Sequence, residues 1–157
     1  MAMATRATKA LEKAGATFTV HAYAYDPNAE RVGLQAAEAL GETPARVLKT
    51  LMALLDGKPV CAILASDREV AMKKLAAALG GKAAQMMKPA DAERLTGYKV
   101  GGVSPFGQMR RVPTVIDAAA LDEPYVFING GQRGLQVRID PKAAAVILDA
   151  RVAPISA

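Results

Sequence analysis

The sequence predicts an α/β fold of the mixed, α+β kind, built on one compact domain over residues 1–157. Three observations carry this. Segments of helical period alternate along the chain with short runs of strand period, so helices and strands interleave. An Asp56-Gly57 pair sits between two apolar runs, a strong hairpin signal, so the sheet includes an antiparallel pair and is not wholly parallel. With 52% hydrophobic residues in 157 and no internal repeat or Pro/Ser linker, the chain can bury one substantial core.

The elements follow in order. Thr5 to Ala14 reads as an amphipathic helix that stops at Gly15. "TFTVHAYAY" (17–25) alternates and is rich in β-branched and aromatic residues, which makes it a strand. "DPNAE" turns the chain, and 32–41 forms a short helix ending at Gly41. Thr43 is the expected N-cap of the next segment, with Pro44 at its first helical position. The hairpin spans 48–67, a helix covers 69–81, a short strand fits 83–87 and a helix covers 88–97. Short strands lie within 113–121 and 124–130, 135–141 is a strand, and 141–150 closes as a helix.

Composition excludes several chemistries. The single Cys61 rules out an intramolecular disulfide. One Cys and one His cannot build a Cys/His zinc site, and a Ser-His-Asp triad would have to use His21. Cys61, on an apolar strand, reads as an inert core thiol, and His21 as structural. No metal and no cofactor is expected. No stretch reaches the roughly 18 to 20 apolar residues of a membrane span, and the N-terminus lacks the apolar region of a secretory signal, so the expected location is cytoplasmic, with no membrane partner. The net charge of +5, from 20 Lys+Arg against 15 Asp+Glu, suits a polyanionic partner.

Three segments look like parts of a site. In "VLKTLMALL" (47–55), Lys49 and Thr50 interrupt an apolar run. Successive strand residues face opposite sides, so the two cannot both point into one core. Lys49 either snorkels to water or meets a ligand carboxylate, carbonyl or phosphate in a cleft. In "TGYKVGGVSPFGQMRRVP" (96–113), the glycines and prolines leave little room for a regular element, and exposed backbone N–H groups there can bind an oxyanion. In "NGGQRGLQVRIDP" (129–141), Arg133 lies among glycines whose spacing matches neither a Walker loop nor a dinucleotide fingerprint.

Together, "VLKTL", "TGYKVGGVSPFG" and "GGQRGLQVRIDP", with "HAYAYDP" before them, closely resemble the YbaK/EbsC family of Cys-tRNA(Pro) deacylases, related to the editing domain of bacterial prolyl-tRNA synthetases. The resemblance covers roughly residues 5 to 153. It implies a strongly curved, barrel-like mixed sheet flanked by helices, with a central pocket. It implies trans-editing, the hydrolysis of the ester between a mischarged amino acid and tRNA, assisted by the substrate itself.

By the same resemblance, Lys49 is the key functional residue and Gly101 and Gly102 act with it. Tyr23, Val32, Thr50, Ser104, Pro105, Asn129, Gly130, Gly131, Arg133 and Gln136 are the substrate-binding positions. The implied partners are tRNA, through its aminoacylated 3′ end, and prolyl-tRNA synthetase or another synthetase, with the chain itself a monomer. Three positions depart from the cysteine-specific pattern: Asn129 stands where Ser is common, Gln136 where Asp is common, and Val32 near a common Phe. They touch the aminoacyl pocket, so an alanyl, seryl, threonyl or 2-aminobutyryl ester is the alternative substrate. Two other functions stay open: a non-catalytic acceptor-end binding module, served by Lys73, Lys74, Arg110 and Arg111, and a Ser-Lys hydrolase using Ser104 and Lys49.

Overall fold

The structure is a computed structural model that describes residues 4–28 and 32–157, with the side chains at 32 and 33 left out. Helix α1 (Arg6–Lys13) begins at Thr5, whose Oγ1 accepts from the Thr8 N–H while the Thr5 N–H donates to Thr8 Oγ1. The Thr5 hydroxyl also donates to the Gly130 carbonyl, pinning the helix start to the glycine turn near the chain's end. Strand β1 (Phe18–Ala22) follows, then α2 (Val32–Leu40) and a 3-10 turn at Pro44–Arg46. Thr43 occupies the N-cap position, but its side chain makes no capping bond, and the segment after it is this single turn.

Strands β2 (Leu48–Leu55) and β3 (Lys58–Ala65) form the predicted hairpin. Asp56 and Gly57 both have positive φ, 52° and 82°, as a two-residue hairpin turn that matches strand twist requires. The Asp56 carboxylate accepts from the Lys82 and Ala83 N–H groups, which ties the hairpin tip to the start of β4 (Ala84–Met86) and holds the carboxyl below its ordinary pKa.

Helix α3 (Met72–Ala78) is shorter than the predicted 69–81. The chain before it is held extended: Val70 bridges Ser156, and the Ala71 N–H donates to the Ile155 carbonyl. After β4 come α4 (Pro89–Thr96), β5 (Thr114–Asp117), a 3-10 turn (Ala118–Asp122), β6 (Val126–Asn129), β7 (Leu135–Ile139), α5 (Pro141–Leu148) and β8 (Arg151–Ala153). Strand β8 was not foreseen; three residues carry too little alternation to be read.

The strands make two sheets. One runs β1-β7-β6, all antiparallel. The other runs β4-β2-β3-β5-β8, with β3, β5 and β8 parallel. A parallel bridge between Val47 and Phe127 joins them. The sheet is therefore mixed and flanked by helices as predicted, but it is not closed into a barrel.

The seam leaves an opening. On the side away from β3, β2 meets β6 at Val47 and β4 from Ala53 onward. Between them, residues 48–51 have no strand partner on that edge among the described residues. The main core lies on one face of the three-stranded sheet, with Val20, Val126, Ile128, Val137 and Ile139 packed against Leu11, Leu48 and Met52. Helix α2 covers the other face through Ala36 and Ala37, which pack with Val47 and Phe127. Helix α3 packs on the five-stranded sheet through Leu75, against Ala62, Leu64 and Val115.

Candidate functional site

A cavity of about 290 Å³ fills the opening at the β2 edge. Met86, Met87 and Pro89 wall one side, Val100, Gly101 and Val103 another, and Tyr23, Tyr25, Asn129 and Gln136 a third. Lys49 and Thr50 both line it. They lie on opposite faces of β2, as the strand period requires: Thr50 shares its face with Leu48 and Met52 of the main core, and Lys49 shares its face with Leu51 of the α3 core. Both reach the cavity because it wraps round an edge with no neighbouring strand.

That edge also presents backbone groups. The Ser66 N–H donates to the Val47 carbonyl on the β3 side, and the Met87 N–H donates to the Met52 carbonyl on the other. Ladder bonds alternate direction along an antiparallel strand, so the N–H and C=O of Thr50 turn away from β3, toward the cavity.

Lys49 is the one charged side chain in the lining among the described residues. It forms no ion pair with them. Partial burial lowers its pKa from the ordinary lysine value, against the pull of Glu69 and Asp67, which raise it. The ammonium is thus poorly solvated and lacks a direct counter-ion, which suits it to a ligand carbonyl or phosphate.

The structure gathers Tyr23, Lys49, Thr50, Gly101, Asn129 and Gln136 round one cavity. Other predicted positions stand behind it. The Gly102 N–H donates to the Lys99 carbonyl at 2.8 Å, so it is not a spare donor, whereas the Gly101 N–H has no partner among the described residues. Ser104 is fully buried, and its Oγ accepts from the Phe106 N–H. Pro105 lines a second, larger cavity of about 340 Å³ between α1 and α5, whose rim carries Lys13 and Arg111. Of the positions predicted for the deacylase site, Pro105 alone lines this second cavity, so size does not mark the site.

Gly130 and Gly131 form the turn after β6, where the Gly131 N–H donates to Asn129 Oδ1 at 2.7 Å. Exposed Arg133 donates through Nε to the Val100 carbonyl and lies 5.5 Å from the Tyr25 ring centroid. Val32 begins α2, and its side chain lies outside the described residues.

Tyr25, Met86, Met87 and Val100 line the cavity without having been singled out. Tyr25 carried a signal, two residues after Tyr23 in the stretch 17–25 that alternation predicts as one strand; β1 ends at Ala22, and both tyrosines follow it. The methionines carried none. His21 Nε2 lies 2.7 Å from Thr19 Oγ1, and its ring packs edge-on against Phe127. Burial pushes the Cys61 thiol up to about 12. Neither residue lines the cavity. No group of three or more His, Cys, Asp or Glu among the described residues could hold a metal ion.

The fold and cavity thus define an α/β domain that offers a ligand, among the described residues, one lone cation and the outward-turned backbone of Thr50. The family model for the aminoacyl-tRNA editing domain matches residues 26–152, and the chain belongs to that family. It is 34% identical over 121 residues to EbsC of Enterococcus faecalis, named as a candidate Cys-tRNA(Pro)/Cys-tRNA(Cys) deacylase, covering 76% of this chain and 74% of that one. It is 33% identical over 91 residues to a proline–tRNA ligase of Acidithiobacillus ferrooxidans, covering 58% of this chain and 16% of the ligase. The fold matches the crystal structure of a candidate trans-editing enzyme for prolyl tRNA synthetase with a TM-score of 0.85 and 24% identity, over 99% of both chains. Among the described residues, no helix is long and apolar enough to cross a membrane.

Proposed function

We propose that this chain, as one domain over residues 1–157, is a trans-editing aminoacyl-tRNA deacylase that hydrolyses the ester between a small amino acid and tRNA. The observation that carries the reading is Lys49, a half-buried cation that among the described residues has no ion-pair partner and is the one charge in the cavity lining, beside the free Gly101 N–H. The terminal ribose and phosphate lie against Lys49, and the ester carbonyl enters the cavity. As the carbonyl is attacked, negative charge grows on its oxygen. In this reading Lys49 and the N–H groups of Gly101 and Thr50 hold that charge. The carbon–oxygen bond to the ribose then breaks, and the ribose hydroxyl leaves with a proton.

The protein supplies no nucleophile in this scheme, in keeping with a buried Cys61 and a His21 outside the cavity. For a cysteinyl ester the substrate's own thiol attacks, its proton leaves with the ribose hydroxyl, and water then opens the cyclic thioester to free cysteine; for other esters a water, oriented by the tRNA 2′-hydroxyl, attacks. Positioning does most of the work. Cys-tRNA(Pro) is the substrate brought forward by the likeness to EbsC, and the amides of Asn129 and Gln136 bring forward alanyl, seryl, threonyl and 2-aminobutyryl esters. The reading makes the chain a cytoplasmic monomer that meets charged tRNA beside prolyl-tRNA synthetase or another synthetase.

The test is release of amino acid from tRNA(Pro) carrying Cys, Ala, Ser, Thr or Pro, with EDTA present, by wild type and Lys49→Ala. Turnover of at least one small ester, lost in the variant, supports the reading. Binding of tRNA with no turnover of any ester defeats it and leaves a binding module. A dead Ser104→Ala variant beside normal tRNA binding would point instead to serine chemistry.

A further inference from the structure

Two buried side-chain polar atoms among the described residues have no hydrogen-bond partner: Thr50 Oγ1 and Gln136 Oε1. Both residues line the Lys49 cavity. Buried polar groups are paired in folded proteins with few exceptions, so two orphans in one cavity mark the place of a ligand's own polar groups. We propose that the cavity selects a hydroxyl-bearing aminoacyl group, seryl or threonyl, whose side-chain hydroxyl is received by Gln136 Oε1 and Thr50 Oγ1. The inference rests on the deacylase reading above and names its substrate.

Gln136 is buried, and its Oε1 is the amide atom left without a partner. A carbonyl oxygen can only accept. Thr50 Oγ1 can donate or accept. Asn129, the other amide of the cavity, is unavailable: its Oδ1 accepts from the Gly131 and Gln132 N–H groups, and its Nδ2 donates to the Gly101 and Gln132 carbonyls.

The aminoacyl group must therefore bring one donor for Gln136 and one partner for Thr50. Its α-ammonium meets no carboxylate in the lining among the described residues, and Lys49 opposes a second cation there. A hydroxyl both donates and accepts, so it matches the acceptor Gln136 Oε1 and the hydroxyl of Thr50. The methyl of an alanyl group or the ethyl of a 2-aminobutyryl group supplies neither. A site built to bond a hydroxyl rejects the analogue that lacks it, because the site's own polar atoms stay unpaired. A thiol is a weak donor and falls between.

The experiment measures kcat/KM on one tRNA(Pro) acylated with Ser, Thr, Ala, 2-aminobutyrate or Cys. Wild type, Lys49→Ala, Gln136→Met and Thr50→Val are compared. The expected result is Ser or Thr at least about tenfold ahead of Ala and 2-aminobutyrate, with Cys between, and a hydroxyl preference that shrinks to within about threefold in Gln136→Met and falls in Thr50→Val. Should Gln136→Met not fold, the wild-type ranking and Thr50→Val decide. Alanyl or 2-aminobutyryl esters cleaved as fast as seryl, or cysteinyl cleaved faster, overturn the inference and leave the deacylase reading standing if Lys49→Ala is inactive. Turnover of no ester overturns both.

Discussion

Asn129 Nδ2 donates to the Gly101 carbonyl at 3.3 Å, fastening the end of β6 to the loop that walls the cavity. The same side chain accepts from the Gly131 N–H at 2.7 Å, so one amide organises both glycine segments. Asn129→Ala removes these bonds, at about 1 kcal/mol each, and a fall in Tm of a few degrees is expected from thermal melts. Deacylation is expected to drop about tenfold or more, because Gly101 loses its anchor. Asn129→Ser is expected to fall between the two, its short hydroxyl still able to accept from the turn.

Lys49 gives a pH signature. Burial holds its pKa below the ordinary lysine value of 10.5. A rate that needs the positive charge falls as pH rises through this lowered value, giving an alkaline limb earlier than free lysine would. Lysine titration has the opposite effect on stability: the unfolded chain holds the proton more tightly, so the fold gains stability as pH climbs from the folded pKa toward the unfolded one. Lys49→Met is accordingly expected to abolish turnover while leaving Tm unchanged or higher. A clear loss of Tm together with activity would make Lys49 a structural residue.

Gly101 has φ +88°, and a Cβ there would lie 2.6 Å from the Tyr25 hydroxyl. Gly101→Ala therefore meets both backbone strain, about 1–2 kcal/mol, and a steric contact. Tyr25→Phe removes the atom that is struck. The double variant is expected to recover part of the loss of Gly101→Ala in both melts and kcat/KM, a non-additive cycle whose interaction reports the contact alone. Strict additivity would separate Tyr25 from the loop.

The two kinds of local signal in this chain differ in reach. The hairpin was legible because Asp56-Gly57 states a backbone conformation that the structure adopts. Lys49 was legible because an ammonium inside an apolar strand is costly without a purpose. Ser104, Pro105 and Gly102 were less so. A loop's residues alternate between cavity and core without a period, so Gly101 lines the cavity while Ser104 is buried behind it. The length of α3 depended on the remote Ile155–Ser156 segment, which no local pattern encodes. The open edge of β2 is a property of two sheets meeting, and it alone explains how Lys49 and Thr50 share one cavity.

Cys61 is 1% exposed, and burial raises its thiol to about 12. At pH 8 almost none of it is thiolate, and no reagent reaches it in the fold. Iodoacetamide is expected to leave native protein unlabelled and fully active over hours, and to modify one thiol per chain, by mass spectrometry, once denaturant is added. Labelling with loss of activity under native conditions would put Cys61 in the chemistry after all.

Asp117, at the end of β5 and 3% exposed, accepts from the Ile155 N–H at 3.0 Å and the Ser156 hydroxyl at 2.9 Å. These bonds hold the C-terminal segment that brackets α3. Asp117→Ala orphans a buried N–H, which costs about 1–3 kcal/mol, and lowers Tm accordingly. Below the melting transition, kcat/KM for the best ester is expected to stay within about twofold of wild type, since Asp117, Ile155 and Ser156 do not line the cavity. Asp117→Asn keeps an acceptor oxygen and is expected to recover most of the Tm. A change in ester preference in either variant would show that the C-terminal anchor and the cavity are coupled.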